Sequence, residues 1–300
     1  MTLSLLHPLL ALVLAPLLQG IINRTKALFA GRSGPPLLQP YWDIAKLLRK
    51  GAVYSETTTW LFRLAPAAGV AIGAICLVFL PLGNLRAAFS FEGDLVFVIY
   101  LLALHRFLTV IAAMDTGSAF EGMGASREMA FSALAEPALL FGLVAVARQT
   151  GRLSLEGLIM PVDPDVWMAH GATFMLVLAG LFLVYLAENS RIPVDDPNTH
   201  LELTMIHEVM VLDHGGVDFA FIEYAAALKL WILGALITGI AIPVRTGMPA
   251  VDIGAMLAGM AALAVLVGVV ESTLVRLRLV QVPHLLIGAC AFSIVGIIIQ

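Results

Sequence analysis

Long apolar runs alternate with short polar segments along the whole chain, and the run lengths alone dictate most of the architecture. A bilayer core needs about 20 apolar residues from a spanning helix. Runs of roughly that length occupy Leu3–Phe29, Trp60–Leu80, Leu95–Met114, Met129–Ala147, Val166–Ala187, Phe219–Ile242, Ile253–Val270 and Val282–Ile299. The pattern predicts an all-α polytopic membrane protein of about eight transmembrane helices, forming one integral-membrane domain over residues 1–300. No basic residue precedes the first run and several follow it, which is the reverse of a secretory signal, so it reads as a retained helix. Between the first two spans, Leu37–Lys50 is amphipathic. Tyr41, Ile44, Leu47 and Leu48 can share one face, with Asp43, Lys46, Arg49 and Lys50 on the other. This predicts a short helix lying along the cytoplasmic membrane surface.

Basic residues set the orientation. One set of loops carries Arg32, Lys46, Arg49, Lys50, Arg127, Arg191, Arg276 and Arg278; the other carries Arg86, Arg148, Arg152 and Arg245. The richer set is expected in the cytoplasm, with both termini outside. Composition agrees with a membrane protein: of 300 residues, 60% are hydrophobic and 13% charged, against about 25% charged in soluble domains. The net charge of −4 is too small to imply a nucleic-acid partner. Cys76 and Cys290 stand alone in apolar runs, without the spacing of a metal or cluster site. Gly69 and Gly73 form a GxxxG spacing that permits close helix approach.

Scarce charges are therefore informative. Ala187–Asp213 holds six carboxylates and two histidines between two spans. Part of this is helix capping, because Asp195 and Asp196 precede Thr199-His-Leu-Glu202, an S/T-x-x-E box. Leu201, Met205 and Leu212 would then share the apolar face of a helix, with Glu208 beside it. His207-Glu208 lacks the second histidine of a zinc-protease motif, since position 211 is valine. Asp115–Glu128 is a glycine-rich loop suited to a protein contact. Within the spans lie His105, Arg106, Glu136 (next to Pro137), Glu223 and Lys229. An intramembrane charge costs at least about 2.5–3.5 kcal/mol and faces a cavity or a partner. Such a set can form a hydrated proton path, or it can be a group of structural ion pairs. No catalytic motif appears.

Three segments, GRSGPPLLQPYWDIAKLL, GSAFEGMGASREM and AENSRIPVDDPNTHLELTMIHEVM, resemble cytoplasmic motifs of the respiratory complex I subunit 1 family. Within it, the chain looks like the branch found in energy-converting group 4 nickel–iron (NiFe) hydrogenases of the formate hydrogenlyase and hydrogenase-4 type. The compact first loop favours that branch. So does Pro197–Leu203, where Asn198 and His200 stand in place of two acids of the quinone enzymes and Glu202 remains. Ala133 lies near the position of the quinone branch's fourth-helix acid.

The resemblance implies a non-catalytic membrane anchor that couples redox chemistry in a peripheral arm to translocation of H⁺ or Na⁺. It implies no cofactor in this chain, with a nickel–iron centre and iron–sulfur clusters in partner subunits. The implied partners are hydrogenase large and small subunits, an iron–sulfur subunit, antiporter-like membrane subunits and the bilayer of the inner (plasma) membrane. Its proton relay would comprise Glu128, Glu136, Glu188, Asp195, Asp196, Glu202, Glu208, Glu223 and Lys229. Its peripheral-arm contacts would be Arg32, Gln39, Asp43, Lys46, Arg127 and Arg191. Two other readings remain: a quinone-site subunit of a complex I-like dehydrogenase, and a stand-alone ion transporter.

Overall fold

The computed structural model describes residues 4–196 and 205–299. Its ten α-helices are α1 (Leu6–Phe29), α2 (Gln39–Leu47), α3 (Trp60–Phe79), α4 (Asp94–Asp115), α5 (Ala119–Thr150), α6 (Leu155–Ile159), α7 (Pro164–Glu188), α8 (Gly216–Ala241), α9 (Pro249–Thr273) and α10 (Val282–Ile299). Eight of these helices among the described residues are long and apolar enough to cross a bilayer. The chain is a multi-pass, all-helical membrane protein. The face that carries the 30–59, 116–128 and 189–215 connections is called the motif face below.

α8 is the axis of the bundle. In its most apolar stretch 72% of residues are buried, against 44% or less in the other spans. α3, α1, α7 and α9 surround it, while α10 closes the far side against α5 and α7. A helix buried on all sides cannot shed a charge to lipid or water, so the position of Lys229 midway along α8 forces it to find a carboxylate.

Buried polar groups tie the helices together. Pro16 has no N–H, so the Leu12 carbonyl is left without its helical donor. The Tyr224 hydroxyl of α8 fills it at 2.7 Å, and the Tyr41 hydroxyl of α2 donates to the adjacent Val13 carbonyl at 2.6 Å. Nearer the start of α1, Trp231 Nε1 donates to His7 Nε2 at 3.1 Å, and His7 Nδ1 lies 2.8 Å from the Leu80 carbonyl. That geometry assigns the proton to Nδ1 and joins α8, α1 and the end of α3.

Two local expectations are revised. The glycine-rich stretch after Asp115 is helical from Ala119, so α5 starts ten residues before the span at Met129. Here glycine serves close approach: a Cβ on Gly124 would stand 2.3 Å from Val209 and 2.9 Å from the Ile206 carbonyl. The helix expected across Leu201–Leu212 is, from Met205 onward, a single 3-10 turn over Glu208–Val211. Val209, Met210 and Val211 are all buried and Leu212 is half exposed, because the segment is wedged between helices and not laid on one face. The GxxxG pair packs within the chain, Gly69 against His105 and Gly73 against Leu228. The part of the acidic segment at 197–204, with Thr199, His200 and Glu202, lies outside the described residues.

Candidate functional site

The site is organised by Arg106, in the C-terminal half of α4 and 7% exposed. A guanidinium is planar, permanently charged and presents five donors, so in low dielectric it gathers carboxylates. Its Nη2 meets both carboxylate oxygens of Glu188, at the end of α7, at 2.5 Å. Its Nη1 pairs with Glu136 of α5. Its Nε lies 3.2 Å from Glu128, in the first third of α5, as an ion pair without hydrogen-bond alignment. Glu188 also takes Lys229 Nζ at 3.0 Å. Glu128 faces His207, whose Nδ1 is 3.9 Å away. Four helices and the loop after α7 thus converge on one point.

Three carboxylates face two cations in this group, which leaves one negative charge in excess when all are ionised. Of this group, Arg106, Glu188 and Lys229 reach the wall of a cavity of about 260 Å³, which His207, Glu208 and Glu223 also line. Arg191 and His214 also border it. His214, just before α8, packs edge-on against Phe62 with ring centroids 3.8 Å apart. Burial holds its imidazole below the ordinary histidine pKa, because desolvation disfavours the charged form.

The expected relay residues fall into distinct places. Glu128, Glu136, Glu188 and Lys229 form the charge centre, and Glu208 and Glu223 stand on the cavity wall. Glu136 does not line the cavity, and 41% of its side chain is exposed. Asp195 is buried and fully engaged. It accepts from the backbone N–H of Asp196, Ile206 and His207 at 2.9, 3.2 and 3.0 Å and pairs with Arg276 at 2.8 Å. It pins the two ends of the acidic loop, and Asp196 stands next to it.

Of the expected docking residues, Arg32, Asp43 and Lys46 are exposed on or beside α2 and Gln39 is half-buried, one turn from Asp43 and bonded to it at 2.9 Å. Arg127 turns inward and donates to the Met205 carbonyl at 2.8 Å. Arg191 is buried against Glu271 at 3.4 Å.

Sequence reading gave Arg106 only as one member of an intramembrane set and overlooked three further participants, His207, Glu271 and Arg276. Arg106 was visible as an intramembrane cation, but nothing local marks it as the hub. His207 was read only against a zinc motif. Glu271 bridges Lys26 (2.7 Å) and Arg191 with its own side chain fully buried. Arg276 fixes Asp195. A buried charge near a span end was the available signal for the last two.

Fold and site together define a class: a helical membrane subunit whose charged cavity lies beneath one face, with no grouping of metal-binding side chains among its described residues. The chain belongs to the NADH dehydrogenase family, the family of complex I subunit 1, whose profile matches residues 1–300. It is 31% identical to formate hydrogenlyase subunit 4 of Escherichia coli (strain K12), covering 98% of each chain. It is 29% identical to hydrogenase-4 component C of the same organism, over 94% of this chain and 90% of that protein. A subunit of the NADH-quinone oxidoreductase of Verminephrobacter eiseniae is 30% identical over 68% of this chain and 59% of its own length. The fold matches a chain of the membrane-bound sulfane sulfur reductase, an archaeal respiratory membrane complex. That match has a TM-score of 0.85 at 21% identity and covers 99% of this chain and 98% of the other.

Proposed function

We propose that the chain is the membrane anchor subunit of an energy-converting nickel–iron hydrogenase complex, coupling redox chemistry in a peripheral arm to translocation of H⁺ or Na⁺. The observation that carries this reading is the charge centre, three carboxylates to two cations, which meets the cavity through Arg106, Glu188 and Lys229. A balanced buried ion cluster is inert. One with an extra negative charge beside a polar cavity takes up one cation and gives it back when the surrounding charges move. The end-to-end similarity to formate hydrogenlyase subunit 4 supports the hydrogenase branch over the quinone branch, whose relative aligns over two thirds of this chain.

In this scheme the chain does no covalent chemistry. The nickel–iron centre and iron–sulfur clusters reside in hydrogenase large and small subunits and an iron–sulfur subunit, which dock on the motif face near α2. That face is the cytoplasmic side of the inner (plasma) membrane by its richness in basic residues, with both termini outside. A cation enters the cavity, passes to Glu188 and Glu128 as Lys229 and His207 shift, and crosses Arg106 to Glu136. From there it leaves laterally to an antiporter-like membrane subunit.

Two measurements on the complex purified in mild detergent test this. Nickel together with abundant iron is the expected metal content, and Glu188→Gln should abolish ion uptake coupled to hydrogen evolution in vesicles. Iron without nickel alongside extractable quinone would move the chain to the quinone branch. A chain that pumps ions alone in vesicles would make it a transporter.

A further inference from the structure

A second cavity, about 270 Å³, lies between α1, α2 and α8. Three side chains line both it and the charged cavity: Gln19 and Asn23, one turn apart on α1, and Glu223 on α8. All three end in amide or carboxyl groups, so the partition between the two spaces is polar. The second cavity adds Asp43 and Gln39 from α2, and its wall contains no Lys, Arg or His among the described residues. Asp43 and Glu223 with no cation in its own wall bias this space to negative potential, while Arg191 acts on Glu223 from the other side of the partition. Its roof, α2, contributes no buried residue and is held at a few points, among them the Tyr41 bond to Val13.

We propose that the space beneath α2 is a hydrated, cation-selective vestibule that feeds the charged cavity through a neck of Gln19, Asn23 and Glu223. The chemistry follows from the lining. A space this large holds several waters, and amide and carboxyl groups supply the two to four hydrogen bonds each needs. Carboxylates at the exposed rim and the neck of a narrow space concentrate cations and exclude anions. The occupant is a small monovalent cation, either a hydrated proton or Na⁺. The proposal rests on the ion-coupling reading above, and it gives Asp43 and Gln39 a task besides docking.

The test is thiol accessibility in the intact complex in vesicles. Cys76 and Cys290 are first replaced by alanine; Asn23→Cys at the neck and, separately, Leu47→Cys on the roof are then introduced. Each is reacted with cationic and anionic methanethiosulfonates of similar size and with lipophilic N-ethylmaleimide. The cationic reagent should react at least about tenfold faster than the anionic one, relative to a free thiol. Adding Asp43→Asn with Glu223→Gln should remove that preference. Slowing of the reaction by sodium but not choline assigns the ion as Na⁺, and no slowing by sodium assigns it as the proton. Reaction with the lipophilic reagent alone, equal rates for the two charged ones, or no reaction at either position overturns the proposal. Labelling needs no pumping, so a complex that labels as expected but moves no ions refutes the functional reading and leaves the vestibule standing.

Discussion

Replacing Arg106 with leucine tests the charge centre most directly. The guanidinium is almost fully enclosed and touches Glu188 through two oxygens, Glu136 through one, and Glu128 at 3.2 Å. Leucine fills much of the volume but leaves these charges behind. Breaking a buried pair by removing one partner costs about 3–5 kcal/mol, because the remaining charge is desolvated and uncompensated. Three pairs are lost, yet the costs do not add threefold. Glu188 keeps Lys229 at 3.0 Å, and Glu136 is exposed enough for its pair to contribute little. The expected loss is therefore about 3–5 kcal/mol in total, dominated by Glu188 and Glu128.

The assay is equilibrium unfolding of the purified chain by SDS in mixed micelles. A double-mutant cycle with Glu188→Gln should recover about 1–3 kcal/mol, since the amide no longer needs the cation. Arg106→Lys should fall between parent and leucine, because one ammonium cannot present the guanidinium fork to several carboxylates. A leucine variant within about 1 kcal/mol of the parent, or a cycle with no interaction energy, would refute the hub geometry.

Other substitutions probe the surroundings. Burial holds His214 below its ordinary pKa of about 6.5, so the folded state binds fewer protons than the unfolded one. Its contribution to stability is complete above that value and declines as pH falls below it; His214→Gln should flatten the acid limb of a melting-temperature profile, and an unchanged slope would contradict this. Gly20→Ala would bring a Cβ to 2.1 Å from the Leu37 carbonyl oxygen, which is backbone and cannot step aside. The change should cost about 1–3 kcal/mol and loosen α2, read as a shift in Trp42 emission; unaltered emission and melting would argue against the contact. Asp195→Ala removes the acceptor of the Ile206 and His207 N–H groups. It should speed amide hydrogen exchange at Ile206 and His207, with Asp195→Asn intermediate; parental exchange in the alanine variant would show that this turn is held by other contacts.

The spans were legible because a bilayer accepts few alternatives: an apolar run of sufficient length becomes a helix whatever its neighbours do. The errors arose where glycine and short apolar clusters had to be read without their partners. Gly122 and Gly124 suggested a loop, whereas Gly124 permits α5 to start early against Val209. Met205 and Leu212 were read with Leu201 as one face of a helix, whereas a 3-10 turn buries Val209, Met210 and Val211 together and leaves Leu212 half exposed. For the site, sequence revealed the cost of each charge but not its partner. Arg106 and Glu136 are 30 residues apart, Arg106 and Glu188 are 82 apart, and only the packing of α4, α5 and α7 joins them. Asp195 was grouped with the relay carboxylates by its place in an acidic run. Its four donors mark it as an anchor.

Glu136 is the member of the centre that a single chain explains least well. The guanidinium satisfies one side of it, but 41% of its side chain is exposed within the span of α5. Facing lipid, a carboxylate there costs up to the roughly 2.5–3.5 kcal/mol of an intramembrane charge. Nothing in the stability of this chain requires that cost, because Arg106 already has Glu128 and Glu188. The position makes physical sense if a neighbouring membrane subunit covers it and continues the charge path. Glu136→Gln should then leave the isolated chain at least as resistant to SDS as the parent, while the assembled complex loses ion uptake at an otherwise preserved redox activity. Uptake that survives the substitution would place the lateral exit elsewhere. A large loss of stability in the isolated chain would make Glu136 a structural partner of Arg106 and remove it from the path.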